Sequence, residues 1–203
     1  MTRHLLAGSL VMLLAATVVE AQTPAPAAKR PPKPSLSNNI LAPTGMLLGR
    51  FDVQHPSDSL FGTVYGSAMI AFGVEFRARV VGRLFVSGAL GRLGKQGVLT
   101  VTGDPSTLTI YPMEGMALYA LVRGRVSPYV GGGGGAYKYT ETNTIGTADG
   151  MGYGFVVCGG VTARFGRFVV DGGVKYHSAK VTPLEDQANL GGLRFGIGAG
   201  IAF

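Results

Sequence analysis

Apolar and polar residues alternate with a period of two along most of this chain. The clearest run is 70–80, "IAFGVEFRARV". Ile70, Phe72, Val74, Phe76, Ala78 and Val80 share one parity, and Gly73, Glu75, Arg77 and Arg79 share the other. Strict alternation marks a strand whose two faces meet different surroundings. The last residues, "LRFGIGAGIAF" (193–203), repeat the pattern, with Leu193, Phe195, Ile197, Ala199, Ile201 and Phe203 opposed to Arg194 and a row of small residues. Similar runs at 49–54, 84–94, 115–125, 128–140, 152–165 and 167–178 bring the expected total to about eight strands. A strand of roughly 9–11 residues crosses a bilayer at a tilt.

The connections alternate as well. Those near 81–83, 126–128 and 165–167 are short, whereas 55–64, 95–113, 141–150 and 179–189 are long and polar. Short turns on one side and long loops on the other fit a transmembrane barrel. Polarity assigns the faces. The bulky parity would face lipid, and the other parity, mostly Gly and Ala, would make a poor solvent coat. It carries Glu75, Arg77, Arg79, Arg123, Asp171, Lys175 and Arg194. Eight strands leave an interior that side chains just fill, and buried charges persist only when paired. The expectation is a lumen plugged by ion pairs.

Composition adds the compartment. The 203 residues include 33 Gly and no Trp; 46% are hydrophobic, 14% are charged, and mean hydropathy is +0.29. After residue 21 no apolar run is long enough for a spanning helix. Residues 1–21 read as an export signal: Arg3, an apolar stretch from Leu5 to Val19, and a small-x-small site ending at Ala21. Residues 22–43 begin with "QTPAPAAKRPPKPS", a stiff Pro- and Ala-rich linker expected in the periplasm, and the barrel is assigned to 44–203. The single cysteine, Cys158, excludes an intramolecular disulfide and a cysteine metal cluster, and its parity points it into the lumen. Net charge is +7, three of it from Lys29, Arg30 and Lys33 of the linker. No basic stripe interleaved with aromatics suggests nucleic acid as a partner.

The chain resembles the small outer-membrane β-barrels, the OmpA-like and OmpX-like transmembrane domains. The resemblance rests on "SPYVGGGGGAYKY", "GGVTARF", "VDGGVKYHS" and the closing "LRFGIGAGIAF", and spans about 44–203. It implies an all-β, antiparallel, up-and-down barrel in the outer membrane, monomeric and surrounded by lipid and lipopolysaccharide. It also implies insertion by the barrel assembly machinery, with Phe203 as the terminal element of the assembly signal.

Candidate chemistry changes this picture little. "GGGGG" at 131–135 lacks the ending of a phosphate loop and continues a strand on both sides. His177-Ser178, with Glu185 and Asp186 beyond, is similar to the catalytic set of outer-membrane lipid A deacylases. Adjacent strand residues point to opposite faces, however, and a nucleophile must reach its base. His4 and His55 sit in no ligand cluster. No catalytic site, cofactor or metal is expected. The expected role is structural or adhesive, with lipid modification second and narrow transport of small apolar molecules third. In 95–113, "VLTVT" and "TLTIY" flank "GDPST", a good type I turn. Strands 3 and 4 are therefore expected to protrude as a hairpin, with Leu99, Val101, Leu108 and Ile110 on one face as a candidate surface for an extracellular partner.

Overall fold

The computed structural model describes residues 43–57, 66–98, 103–144, 146–181, 188–189 and 191–203. The export signal and almost all of the linker lie outside these residues. So do Leu99, Val101, Glu185 and Asp186. The described strands are β1 (Gly45–Pro56), β2 (Met69–Val81), β3 (Leu84–Val98), β4 (Pro105–Ala120), β5 (Val126–Asn143), β6 (Gly146–Phe165), β7 (Phe168–Val181), the two-residue β8 (Ala188–Asn189) and β9 (Gly192–Ala202). Each long strand pairs antiparallel with its neighbours, β6 pairs with β7, and β9 lies between β7 and β1. The result is a closed eight-stranded up-and-down barrel, with β8 a small addition beside the end of β7.

Closure runs the whole length of β1. Met46 pairs with Ala202 and Pro56 with Gly192, in one unbroken register. At the chain's end the Phe203 N–H donates to the Gly45 carbonyl at 3.0 Å, and the Gly45 N–H donates to the Phe203 carbonyl at 2.9 Å. Phe203 itself points outward, stacked on Phe76 with ring centroids 6.4 Å apart.

The faces follow the sequence parity. Ile70, Phe72, Val74 and Phe76 are 46–63% exposed, while Glu75 and Arg77 between and beside them are buried. Leu90, Val130, Phe155, Val157, Val170, Phe195 and Ile197 continue the exposed apolar surface around the ring. No helix of the described residues is long and apolar enough to cross a membrane, which says nothing of a barrel; a closed barrel satisfies its backbone groups strand to strand.

β4 includes the second hairpin arm expected at 107–111 but stops short of the expected 125. It begins at Pro105 and ends at Ala120, and Leu121–Arg125 form the turn. Bulk on this strand also lies on the inward face. On β4 the inward residues include Leu118, Met116 and Glu114, and they pair directly with Gly131, Gly133 and Gly135 of β5. Large residues on one strand occupy the space that glycines leave on the next, so bulk on β4 does not mark the lipid face. The expected turn at 126–128 is instead the start of β5. Pro128, without an N–H to donate, contributes its carbonyl, which accepts from Leu121 N–H at 2.8 Å.

The β3–β4 ladder keeps one register from Leu84–Tyr119 to Val98–Pro105 but lapses between Leu90–Met113 and Leu93–Ile110. Pro112 stands in the lapse, its ring over Gly91: a Cβ built there would lie 3.1 Å from Pro112 Cγ.

The glycine row on β5 yields a stability test. A methyl at Gly133 would run into the Gly115 carbonyl oxygen of β4, whereas one at Gly88 meets nothing within 4 Å. Gly133→Ala is expected to lower the urea midpoint of the refolded barrel by the equivalent of about 1–3 kcal/mol, in the range for overpacking. Gly88→Ala should stay within about 0.5 kcal/mol of the parent.

Candidate functional site

The lumen is built in three layers. At the long-loop end Met69, Ala71, Leu93, Leu108, Ile110, Tyr137 and Ala179 form an apolar plug. At the short-turn end Met46, Leu48, Val169 and Ala202 pack together, and Met116, Leu118, Tyr129 and Val156 form a second cluster, with Phe85 touching both. Cys158 joins that second cluster, its Sγ 4.0 Å from Met116 Sδ. Between these ends lies a layer of charge.

Four cations, Arg50, Arg77, Lys175 and Arg194, meet four carboxylates, Asp52, Glu75, Glu114 and Asp171. The formal charge of the layer is therefore zero. It has two centres. Asp171 accepts from Arg50 Nη1 at 2.6 Å, Arg77 Nη1 at 2.9 Å, Thr162 Oγ1 at 2.7 Å and Tyr129 OH at 3.0 Å. Arg77 also lies over the Tyr129 ring, 4.6 Å from its centroid, a favourable place for a cation. Glu114 accepts from Lys175 Nζ at 3.1 Å and Arg194 Nη1 at 2.9 Å, with Tyr137 OH at 3.5 Å. Glu75 bridges the two. Its Oε1 accepts from Arg77 Nε at 2.7 Å and Ser87 Oγ at 2.8 Å, and its Oε2 faces Arg50 at 3.5 Å and Lys175 at 3.7 Å. Gln54 closes one end by accepting from Arg194 Nη2 at 3.2 Å.

Of the charges singled out in the sequence, the structure brings together Glu75, Arg77, Asp171, Lys175 and Arg194. It does not bring Arg79 or Arg123 to them. Arg123 sits in the exposed turn Leu121–Arg125, because β4 ends at Ala120, and Arg79 lies near the end of β2. Among the described residues neither has a carboxylate within 4.0 Å. Three members of the layer went unassigned in the sequence. Arg50 and Asp52 alternate with Phe51 and Val53, so their parity was available. Glu114 was hidden by the reversed bulk of β4.

Leu108 and Ile110 are also placed differently. Both are 3% exposed and belong to the loop-end plug rather than to an outward hairpin face. Their parity carries them inward because β4 runs continuously from Pro105. His177 is buried and stacked on Tyr137, with centroids 5.5 Å apart, while Ser178 lies on the opposite, half-buried side of β7. The geometry forms no nucleophile–base pair from them. Among the described residues no three His, Cys, Asp or Glu side chains come together as a metal site.

Asp171 accepts the most hydrogen bonds of the four carboxylates, from Arg50, Arg77, Tyr129 and Thr162. Removing one member of a buried pair strands its partners, at a cost of about 3–5 kcal/mol. Asp171→Ala is expected to lower unfolding free energy by that amount, measured by urea titration in detergent micelles. The loss in Asp171→Ala should shrink when Arg77→Met is already present, in a double-mutant cycle.

No family model matches the sequence, and no curated protein matches it either. Solved structures do match. The attachment invasion locus protein Ail of Yersinia pestis, in complex with the heparin analogue sucrose octasulfate, aligns with 80% of this chain and 100% of its own at 14% identity and a TM-score of 0.54. Neisserial surface protein A aligns with 79% and 97% at 15% identity and a TM-score of 0.55. The N-terminal β-barrel domain of Pseudomonas aeruginosa OprF aligns with 79% and 98% at 15% identity and a TM-score of 0.51. With its closed eight-stranded ring and apolar exterior, the chain has the fold of the small outer-membrane β-barrels.

Proposed function

We propose that this protein is an exported, monomeric barrel of the outer membrane whose role is structural or surface-interacting, without a catalytic site. The observation that carries the reading is the filled lumen: a charge-neutral layer of eight interlocked side chains, capped by an apolar cluster at the loop end and flanked at the short-turn end by packed side chains around a cavity of about 100 Å³. Such a filling supports neither a steady pore nor a water-filled reaction chamber. It leaves the loop end and the lipid-facing wall as the working surfaces. In this reading residues 1–21 are removed on export, 22–43 lie in the periplasm, and lipopolysaccharide surrounds the outer rim.

At the loop end the structure favours β6 over the β3–β4 tip as the surface for an extracellular partner. Gly146–Gly152 pairs with β5 on one side, and pairing with β7 begins only at Tyr153. Among the described residues, the other edge of this stretch has no strand beside it, and an open edge accepts a partner strand. Ail is seen with a sulfated polyanion, but the described charges near this tip are mixed, Lys138 against Glu141 and Asp149. A polyanion is therefore not the partner proposed here.

Fractionation of expressing cells tests the location. The protein should sediment with the outer membrane and change gel mobility on boiling; recovery as a soluble periplasmic protein would reject the reading. In planar bilayers the purified barrel is expected to show no large, stable conductance, and nanosiemens steady channels would exclude a plugged lumen. Phe203 contributes one half-exposed side chain, at most about 1.5–3 kcal/mol of burial. Deleting it should therefore lower outer-membrane levels in cells more than it shifts the unfolding midpoint of refolded protein. Unchanged levels would remove Phe203 from the assembly signal.

A further inference from the structure

The short-turn end of the barrel carries a charge pattern that neither the lumen nor the loops use. A cavity of about 100 Å³ opens there, and Arg79, Arg83, Arg123, Arg125 and Arg164 line it. They arrive from four places in the chain: the end of β2, the β2–β3 turn, the β4–β5 turn and the end of β6. Between the guanidinium groups the wall is apolar, from Met46, Phe85, Leu118 and Val122. Arg77 and Tyr129 also border the cavity, where it abuts the charged layer.

These five arginines have no internal counter-charge. Among the described residues none has a carboxylate within 4.0 Å, and no Asp or Glu occurs in the turns at this end. The nearest carboxylate layer cannot serve. Its four acids are matched by its own four cations, and Asp171 already accepts from two arginines, a tyrosine and a threonine. One arginine of the ring has a partner in the chain: Arg83 Nη1 donates to the Leu121 carbonyl at 2.9 Å. The basic linker, with Lys29, Arg30 and Lys33, has the wrong sign to neutralise the ring.

We propose that this vestibule is an anion-binding site for a phosphate-type headgroup. A guanidinium is a planar fork that matches phosphate oxygens two at a time, and it keeps its charge at any physiological pH. Several such forks around one cavity suit a group with several acceptor oxygens better than a lone carboxylate. The apolar wall adds room for the first carbons attached to the phosphate. The ring also lies where the exposed apolar band ends at Val80, Val81, Val126, Phe165 and Phe168, which is headgroup depth. In the orientation proposed above, this end meets the phospholipid leaflet. The same chemistry is offered by a lipid phosphodiester and by free phosphate, and the test separates them.

Full-length protein refolded in dodecyl maltoside is offered equimolar phosphatidylglycerol and phosphatidylcholine, and native mass spectrometry counts retained lipid. Phosphatidylglycerol is expected to be retained at least tenfold over phosphatidylcholine. The preference should vanish in the double variant R79Q/R123Q, weaken without vanishing in R79K/R123K, which keeps the charge but loses the fork, and persist in R167Q, whose arginine lies in the next turn but does not line the cavity. Heat-modifiable mobility of each variant confirms that it is folded. Displacement of the lipid by millimolar inorganic phosphate would identify the free anion as a ligand, and resistance to it would identify the lipid headgroup; either supports the site. Equal retention of the two lipids without phosphate binding, or a loss in R167Q as large as in R79Q/R123Q, would overturn it.

Discussion

Inside hydrocarbon a backbone amide has no water to turn to, and every unpaired group costs several kcal/mol. That constraint makes the β1–β9 seam the feature on which the rest of the molecule depends. The seam joins residues far apart in sequence along a register from Met46–Ala202 to Pro56–Gly192. Once it closes, no edge remains within the membrane-spanning ring, and the period-two pattern acquires two fixed destinations. One parity meets lipid; the other is confined to a lumen with room only for side chains.

Confinement then dictates the filling. Every long inward side chain must find a neighbour that yields space, and the chain supplies that space with glycines at paired positions: Leu118, Met116 and Glu114 of β4 against Gly131, Gly133 and Gly135 of β5. Charge obeys a parallel rule. Ions withdrawn from water repay desolvation only through mutual contact and further hydrogen bonds, and here four of each sign interlock around Asp171, Glu75 and Glu114. Thr162, Ser87, Tyr129 and Gln54 add hydrogen bonds from outside the charged set. The apolar cluster at the loop end caps the layer on that side.

How much of this is readable in the sequence depends on how each strand encodes its faces. β2 and β9 separate bulk from charge cleanly, so their parity, the closed barrel and the inward course of Glu75, Arg77 and Arg194 follow from alternation alone. β4 does not separate them. Apolar bulk lies on both faces between Leu108 and Tyr119, and the inward side is recognisable only once the glycine-rich partner is known. That is why Glu114 is not singled out in the sequence, why Leu108 and Ile110 are expected on a surface they do not reach, and why Arg123 is expected in an ion-pair layer it does not join. Alternation also says nothing of where a strand stops; the last ladder bonds of β4, from Ala120 N–H to Arg83 and from Leu121 N–H to Pro128, decide that. The pairing of Arg50 with Asp171 depends on inter-strand register across 121 positions, which no local pattern contains.

The lapse at Pro112 has a mechanical consequence. A closed ladder behaves as a hoop, and a hoop bends first where its wall has the fewest ties. Opposite Gly91 and Arg92 the tie is missing, and the Pro112 ring wedges the gap instead. The β3–β4 wall therefore has one constraint fewer at this level of the ring. Glu114 lies two residues along from that lapse, holding Lys175 and Arg194. The electrostatic core is thus fastened beside a gap in the ladder of the wall.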